Sequence, residues 1–97
     1  MAVRLVVSAR AVREIGEAFE WYERQAPGLG ADFLGVLDAQ LETIKSSPSL
    51  YGEILPGVRR ALLRRFPYGM FYATKGGLIS VLAVVHTARS PRRWPGL

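Results

Sequence analysis

His86 is the only histidine of the chain, and it ends a nearly continuous apolar run that begins at Leu78. Its imidazole can accept or donate a proton near neutral pH. The guanidinium groups of Arg59, Arg60 and Arg89 are suited to stabilise the charge of a phosphate or carboxylate. A proton-transfer group and cations are parts of an acid–base site, so we call these four residues the candidate catalytic set. A structural histidine, hydrogen-bonded at the end of a strand, is the alternative.

The charged residues are divided sharply along the chain, because every acidic residue lies at or before Glu53. Residues 1–57 contain eight acidic and five basic side chains, a net charge of −3, whereas residues 58–97 contain eight basic and no acidic ones, a net charge of +8. Like charges in a compact chain repel one another unless an anionic partner compensates them. The pattern therefore predicts binding to nucleic acid, to the ribosome or to an acidic protein.

The bulk composition predicts one domain over residues 1–97, because 97 residues with 49% hydrophobic side chains suffice for a single core. The absence of cysteine and the single histidine argue against a structural metal site. No cofactor is expected, since the glycines at Gly28 and Gly30 are not followed by the Gly-Lys-Ser/Thr of a phosphate-binding loop. No apolar run approaches the roughly 20 residues of a membrane span, so a cytoplasmic protein is expected.

The N-terminal half predicts a strand followed by two helices. Val3 to Val7 form the strand, and Ser8 is the expected N-cap of the first helix. Charged pairs such as Arg10/Glu14 would lie on its outer faces. Its apolar stripe comprises Val12, Ile15, Phe19, Tyr22 and Ala26.

The second helix carries its own apolar stripe and is joined to the first by a short link from Pro27 to Gly30. We therefore expect an antiparallel helical hairpin. Trp21 lies off the main stripe of the first helix and is either an exposed binding patch or a core residue. The stripe of the second helix comprises Phe33, Leu37, Leu41 and Ile44.

Residues 48–57 predict a loop, because two prolines and two glycines interrupt them. Three strands follow, at Val58 to Phe66, Tyr68 to Thr74 and Leu78 to His86. The expected fold class is α+β: an N-terminal strand, a helical hairpin and a three-stranded antiparallel meander, in the order β-αα-βββ. The sheet should pack on the hairpin.

The arginine pairs of the first of these strands should divide between the two faces of the sheet, because adjacent strand residues point in opposite directions. Arg60 and Arg64 would then share a face, and Arg59 and Arg65 the other. The face away from the helices could bind phosphate or carboxylate groups, with an ordinary solvated strand as the alternative. In the tail, Arg89 and Trp94 either bind a partner or fasten the tail to the sheet.

Four segments in order resemble the RelE/ParE superfamily of type II toxins, and its ParE-like branch, known from plasmid stabilisation systems, most closely. The N-terminal strand and the helical hairpin fit the same family in order and length, so the resemblance covers nearly the whole chain. The segments are Val58-Arg59-Arg60, the stretch from Phe66 to Tyr72 (FPYGMFY), the stretch from Leu82 to His86 (LAVVH) and the stretch from Ala88 to Trp94 (ARSPRRW).

The resemblance implies a toxin that inhibits growth and forms a hetero-oligomer with a cognate antitoxin, whose acidic segment neutralises it. RelE-like toxins cleave mRNA on the ribosome, whereas ParE-like toxins inhibit DNA gyrase without cleaving RNA. The implied residues for binding target or antitoxin are Arg59, Arg60, Arg64, Arg65, Arg89, Arg92, Arg93 and Trp94.

Three departures from the RelE-like pattern favour the gyrase inhibitor over an enzyme. Gly69 and Thr87 stand where RelE-like toxins place basic residues, and their tail tyrosine falls near Arg93 or Trp94, neither of which readily transfers a proton at neutral pH. One alternative is a ribosome-dependent endoribonuclease, which would cleave RNA by attack of a 2′-hydroxyl on its phosphate with His86, Arg89 and one of Arg59 and Arg60 at its centre. The other is a degenerate, non-toxic relative.

Overall fold

The computed structural model describes residues 3–88 and contains two helices and five strands in that range. Arg89, Arg92, Arg93 and Trp94 lie outside the described residues. The elements are β1 (Arg4–Val7), α1 (Ala9–Gln25), α2 (Leu29–Ser46), β2 (Glu53–Leu55), β3 (Val58–Leu62), β4 (Tyr68–Lys75) and β5 (Leu78–His86).

The five strands form one sheet in the order β1-β5-β4-β3-β2. The predicted α+β fold is confirmed, with β3, β4 and β5 forming the antiparallel meander. The sheet is mixed, because β1 pairs with β5 in parallel and the helical hairpin makes the crossover between the two edges. β1 covers β5 only from Leu78 to Val81, so the last residues of β5 extend beyond it.

β2 is a strand that the sequence does not predict, because residues 48–57 are expected to form a loop. Gly57 makes the turn that returns the chain to β3, and its φ of 80° is in the region that favours glycine. Glu53 then pairs with Arg59, and Leu55 with Val58. The three residues of β2 are too few to give a sequence pattern, and pairing with β3 makes them a strand.

The start of α1 is fixed by Ser8, as predicted. The Ser8 hydroxyl accepts a hydrogen bond from Ala11 N at 3.0 Å and donates one to Leu82 O at 2.9 Å. Its backbone N–H donates to Val81 O at 2.9 Å. Ser8 therefore caps the helix and holds its first turn against β5.

The predicted apolar stripe of α1 is wrong at both of its ends. Val12 is 58% exposed and Ala26 is exposed, whereas the buried positions are Ala11, Ala18 and Tyr22. Because Ser8 binds two carbonyls of β5, the helix presents the small side chains Ala11 and Ala18 to its neighbours instead.

The helical hairpin depends on Glu23, near the end of α1. Its carboxylate accepts hydrogen bonds from the N–H groups of Gly28, Gly30 and Ala31, at 3.2, 2.8 and 3.3 Å. These are donors of the first turn of α2, which have no partner within their own helix. A Cβ on Gly30 would lie 2.7 Å from Phe19 O, so the helices approach closely only because residue 30 is glycine.

An aromatic cluster fills the core between the hairpin and the sheet. The ring of Tyr22 from α1 lies 4.9 Å from that of Phe66, and the ring of Phe33 from α2 lies 5.3 Å from that of Tyr68. Trp21 contacts Tyr22 edge-on at 5.0 Å but is 45% exposed, so it lies at the margin of this cluster.

Candidate functional site

β3 is shorter than predicted, which changes where its arginines lie. The strand ends at Leu62, and Arg65 has a φ of 68°, a turn conformation in which the alternation of strand side chains is lost. Arg59 and Arg60 are strand residues, whereas Arg64 and Arg65 belong to the turn between β3 and β4. The expectation that Arg60 and Arg64 share a sheet face is therefore wrong.

Arg60 lies on the outer face of the sheet, which we define as the face away from the helices. Its partner in β4 is Phe71, whereas the neighbouring pair of Ala61 and Met70 faces the core. The side chain of Arg60 extends over Gly69, which pairs with Leu62 on the same face. Its Cγ and Cδ each lie 3.4 Å from where a Cβ on Gly69 would be.

Thr87 lies on the same face, where it lines a shallow hollow of about 380 Å³ together with Arg60, Leu62 and Ala88. The resemblance places basic residues of RelE-like toxins at Gly69, at Thr87 and at one of Arg59 and Arg60. Of the two arginines, Arg60 is the one on this face. The fold brings these positions together, but only Arg60 among them carries a positive charge. The outer-face hollow therefore contains only one of the cations that the resemblance places in the catalytic site of RelE-like toxins.

Arg59 points to the other side of the sheet and fastens the preceding loop. Its Nη1 donates to Tyr51 O at 2.6 Å and lies 3.5 Å from Ser49 O, and its Nη2 lies 3.6 Å from the carboxylate of Glu53. These contacts occupy the guanidinium within the chain. Arg59 and Arg60 consequently do not act on a common ligand.

Tyr72 closes the same loop from β4. Its hydroxyl donates to Pro48 O at 2.7 Å. Burial raises the pKa of the Tyr72 hydroxyl above its usual value, and the positive charge of Arg59 opposes this effect. Arg59 and Tyr72 together hold residues 48–53 against the sheet.

His86 lies on the helix side of the sheet, opposite to Arg60. It pairs with the core residue Tyr68, whose ring centroid is 5.2 Å from its own, and it lines a cleft of about 280 Å³ with Trp21 and Arg24 of α1. Its Nδ1 accepts a hydrogen bond from Ala88 N at 3.1 Å, which places the proton of the neutral ring on Nε2.

The candidate catalytic set is therefore not assembled within residues 3–88. His86 and Arg60 lie on opposite faces of the sheet, Arg59 is held by the loop, and Arg89 lies outside the described residues. His86 is the last residue of β5, where its ring packs edge-on against Tyr68 and accepts a hydrogen bond from Ala88 N.

Arg64 and Arg65 line a third concavity, of about 490 Å³, which we call the α2 groove. Arg65 lies 3.6 Å from the Asp32 carboxylate, and its guanidinium carbon lies 5.2 Å from the centre of the Phe66 ring. The groove is not among the sites predicted from the sequence. The sequence does contain a pattern that indicates it: small residues occur at every fourth position of α2, at Ala31, Gly35 and Ala39.

Glu14 has a role that its expected place on an outer face of α1 does not predict. One carboxylate oxygen accepts the N–H of Val84 in β5 at 2.8 Å, and the other lies 3.1 Å from Arg10 Nε. Val84 lies beyond the end of β1, so Glu14 takes the place of a neighbouring strand.

Within residues 3–88 there is no group of three or more His, Cys, Asp or Glu side chains that could hold a metal ion. Neither helix in this range is long and apolar enough to cross a membrane.

Several solved structures share this fold. The chromosomal ParDE toxin–antitoxin system of P. aeruginosa contains a chain that is 19% identical, with a TM-score of 0.77 over 87% of this chain and 95% of that chain. A mutant of the E. coli toxin RelE, in complex with an antitoxin RelBc peptide, is 21% identical, with a TM-score of 0.62 over 100% of both chains. No curated protein sequence matches the chain significantly.

The family model for the ParE toxin of the type II toxin–antitoxin system parDE matches residues 5–91. That range includes both helices, β2 to β5, all of β1 except Arg4, and the positions of the outer-face hollow. The resemblance deduced from the sequence is thus confirmed, and with it an antitoxin as the partner. The chain belongs to the ParE toxin family of type II toxin–antitoxin systems.

Proposed function

We propose that this toxin acts in the cytoplasm by binding and inhibiting DNA gyrase, and that it does not cleave mRNA. The observation that carries the proposal is the composition of the outer-face hollow. Of the three positions Arg60, Gly69 and Thr87, which the fold brings together, one is a cation, one has no side chain and one is a neutral hydroxyl.

Cleavage of RNA needs a proton acceptor, a proton donor and cations at the same phosphate. His86 is the only histidine, and it faces α1 across the sheet from Arg60. An arginine transfers no proton at neutral pH, so the hollow has no acid or base among the described residues. Binding to a target requires none of these groups.

The antitoxin is proposed to neutralise the toxin through an acidic segment. The basic residues of the second half are the complement of such a segment, because residues 58–97 contain no acidic side chain. Carboxylates of the first half lie near Arg59 and Arg65. Arg60, Arg64 and Arg65 contribute to binding of the target or the antitoxin, whereas Arg59 stabilises the loop.

Two measurements test the inhibition of gyrase against the nuclease alternative. The purified toxin should inhibit supercoiling by purified gyrase, and induction in cells should cause filamentation and DNA-damage signalling while mRNA 5′ ends remain unchanged. His86→Ala should leave toxicity intact if the protein folds normally. Codon-positioned mRNA cleavage that His86→Ala abolishes would instead establish the endoribonuclease, and the absence of any growth defect would establish a non-toxic relative.

A further inference from the structure

The charged residues of the fold are divided between its two layers. Seven of the eight acidic residues lie in α1 and α2, which contain four basic residues, so the helical layer has a net charge of −3. The eighth, Glu53, lies 3.6 Å from Arg59, which points away from the outer face. Among residues 3–88, the outer face of the sheet therefore contains no acidic side chain.

Strand alternation places Arg4 and Lys75 on this outer face. Leu5 packs against the core in β1, and Tyr72 lies in the core in β4, so Arg4 and Lys75 point away from the helices. Both are exposed, and both pair with Leu78 of β5, one on each side of it. They lie two strands apart in one row of the sheet, a backbone separation of about 10 Å.

Arg60 is the third cation that the strands present on this face. It pairs with Phe71, which lies four residues from Lys75 along β4, a distance of about 13 Å. Arg4, Arg60 and Lys75 have no ion pair among residues 3–88. Their spacing is similar to the width of the DNA major groove, about 12 Å, so long side chains at these positions can reach phosphates on both of its sides.

We propose that the outer face binds the phosphate backbone of duplex DNA through Arg4, Arg60 and Lys75, and that the toxin uses it to contact the DNA on which gyrase acts. This inference rests on the proposed inhibition of gyrase. A duplex fits better than a single strand, because single strands stack their bases on exposed aromatic rings, whereas Phe71 on this face is 3% exposed. The negative charge of the helical layer orients the opposite face toward a polyanion.

Four exposed or partly exposed cations offer a matched test of this surface. Arg4→Glu combined with Lys75→Glu reverses two cations of the outer face, and Arg13→Glu combined with Lys45→Glu makes the same two changes on the helices. Each reversal removes two positive charges, so both double variants lower the net charge from +5 to +1. A difference between them is then an effect of position. Circular dichroism checks that both are folded.

The probe is a fluorescently labelled duplex DNA of arbitrary sequence, titrated with purified toxin in the absence of gyrase and followed by fluorescence anisotropy. We expect the outer-face double variant to bind at least about tenfold more weakly than the helix-face double variant at low salt. The slope of log affinity against log salt concentration should fall by about two, since each phosphate contact contributes about 0.9. Lys75→Gln alone, which removes one charge without reversing it, should lower the slope by about one.

An equal loss of DNA affinity in the two double variants would overturn the surface, because net charge alone would then explain binding. Absence of DNA binding by the wild-type toxin would overturn it as well. Tighter binding of RNA or of single-stranded DNA than of the duplex would overturn the choice of duplex DNA. Loss of antitoxin affinity in the outer-face variant, at unchanged DNA affinity, would assign the face to the antitoxin instead.

A supercoiling assay with purified gyrase separates this inference from the proposed function. The outer-face double variant should inhibit gyrase less than the helix-face double variant does. Equal inhibition by the two would overturn the contact with DNA on gyrase and leave the proposed function intact. A wild-type toxin that binds duplex DNA through the outer face but does not inhibit gyrase would overturn the proposed function and support the DNA-binding surface by itself.

Discussion

The side chain of Arg60 lies across Gly69 on the outer face of the sheet, with its Cγ and Cδ each 3.4 Å from where a Cβ on residue 69 would be. At this distance a Cβ on residue 69 would make ordinary contact with Arg60. A longer basic side chain at residue 69 would have to lie beside Arg60, the one cation of the hollow. Conversion of this surface into a nuclease site would require more than one substitution.

We predict that Gly69→Arg, which restores a basic residue at this position, does not produce mRNA cleavage. The new cation would lie beside Arg60 but still lack a proton acceptor on the same face, since His86 lies on the other. Mapping of mRNA 5′ ends after induction measures this outcome. Gly69→Ala is the control, since its Cβ makes ordinary contacts with Arg60 and Leu62.

The appearance of codon-positioned cleavage in Gly69→Arg would contradict the prediction, because it would show that a single cation completes the site. Both variants should first be shown to fold by circular dichroism.

A second prediction concerns Glu14, which binds the N–H of Val84 beyond the end of β1. Glu14→Ala leaves the N–H of the buried residue Val84 without its partner, at an expected loss of about 1–3 kcal/mol in the free energy of unfolding. Glu14→Gln retains an acceptor oxygen and should lose less. Urea denaturation measures both, and amide exchange of Val84 should accelerate in Glu14→Ala.

Glu17→Ala is the matched control, because Glu17 is an exposed residue of the same helix. If it destabilises the protein as much as Glu14→Ala, the loss stems from helix charge and the bond to Val84 contributes little.

The sequence predicts correctly those parts of the structure that depend on residues close together along the chain. The N-cap at Ser8 and the helical hairpin follow from residue types that act within a turn or two of the chain. The rotation of α1 does not, because it is set by contacts of Ser8 and Glu14 with β5 that span 74 and 70 positions of the chain. An apolar stripe alone cannot contain that information.

The candidate site divides in the same way. Strand alternation correctly separates Arg59 from Arg60, but it fails at Arg64 because the chain leaves the strand at Leu62. The resemblance identified the positions Gly69 and Thr87, and only the pairing of β3, β4 and β5 brings them beside Arg60. The α2 groove is formed by α2 and by the turn between β3 and β4, which are distant in sequence, so neither segment predicts it alone.

A third prediction compares two glycines of α2. Gly30→Ala should destabilise the protein, because the new Cβ would lie 2.7 Å from Phe19 O and from Glu23 Cγ, and the cost of overpacking is about 1–3 kcal/mol. Gly35→Ala should stabilise it by about 1 kcal/mol, because its Cβ meets open space and alanine favours the helix. Thermal unfolding of the two variants should shift in opposite directions.

Shifts in the same direction would mean that the hairpin relaxes freely around residue 30. The close approach of the two helices at Gly30 would then be no constraint on the fold.

The last prediction concerns alkaline pH and the buried Tyr72. Its pKa is raised in the folded protein, so above the usual tyrosine value of about 10 the unfolded chain releases the proton first. The unfolded state then binds fewer protons than the folded state, and stability falls as the pH rises through the folded pKa. Tyr72→Phe removes the titrating group and the bond to Pro48 O, at an expected loss of about 1 kcal/mol near neutral pH. Urea denaturation from about pH 9 to about pH 11 should show a shallower fall for Tyr72→Phe than for wild type, and parallel curves would show that other groups govern the alkaline transition.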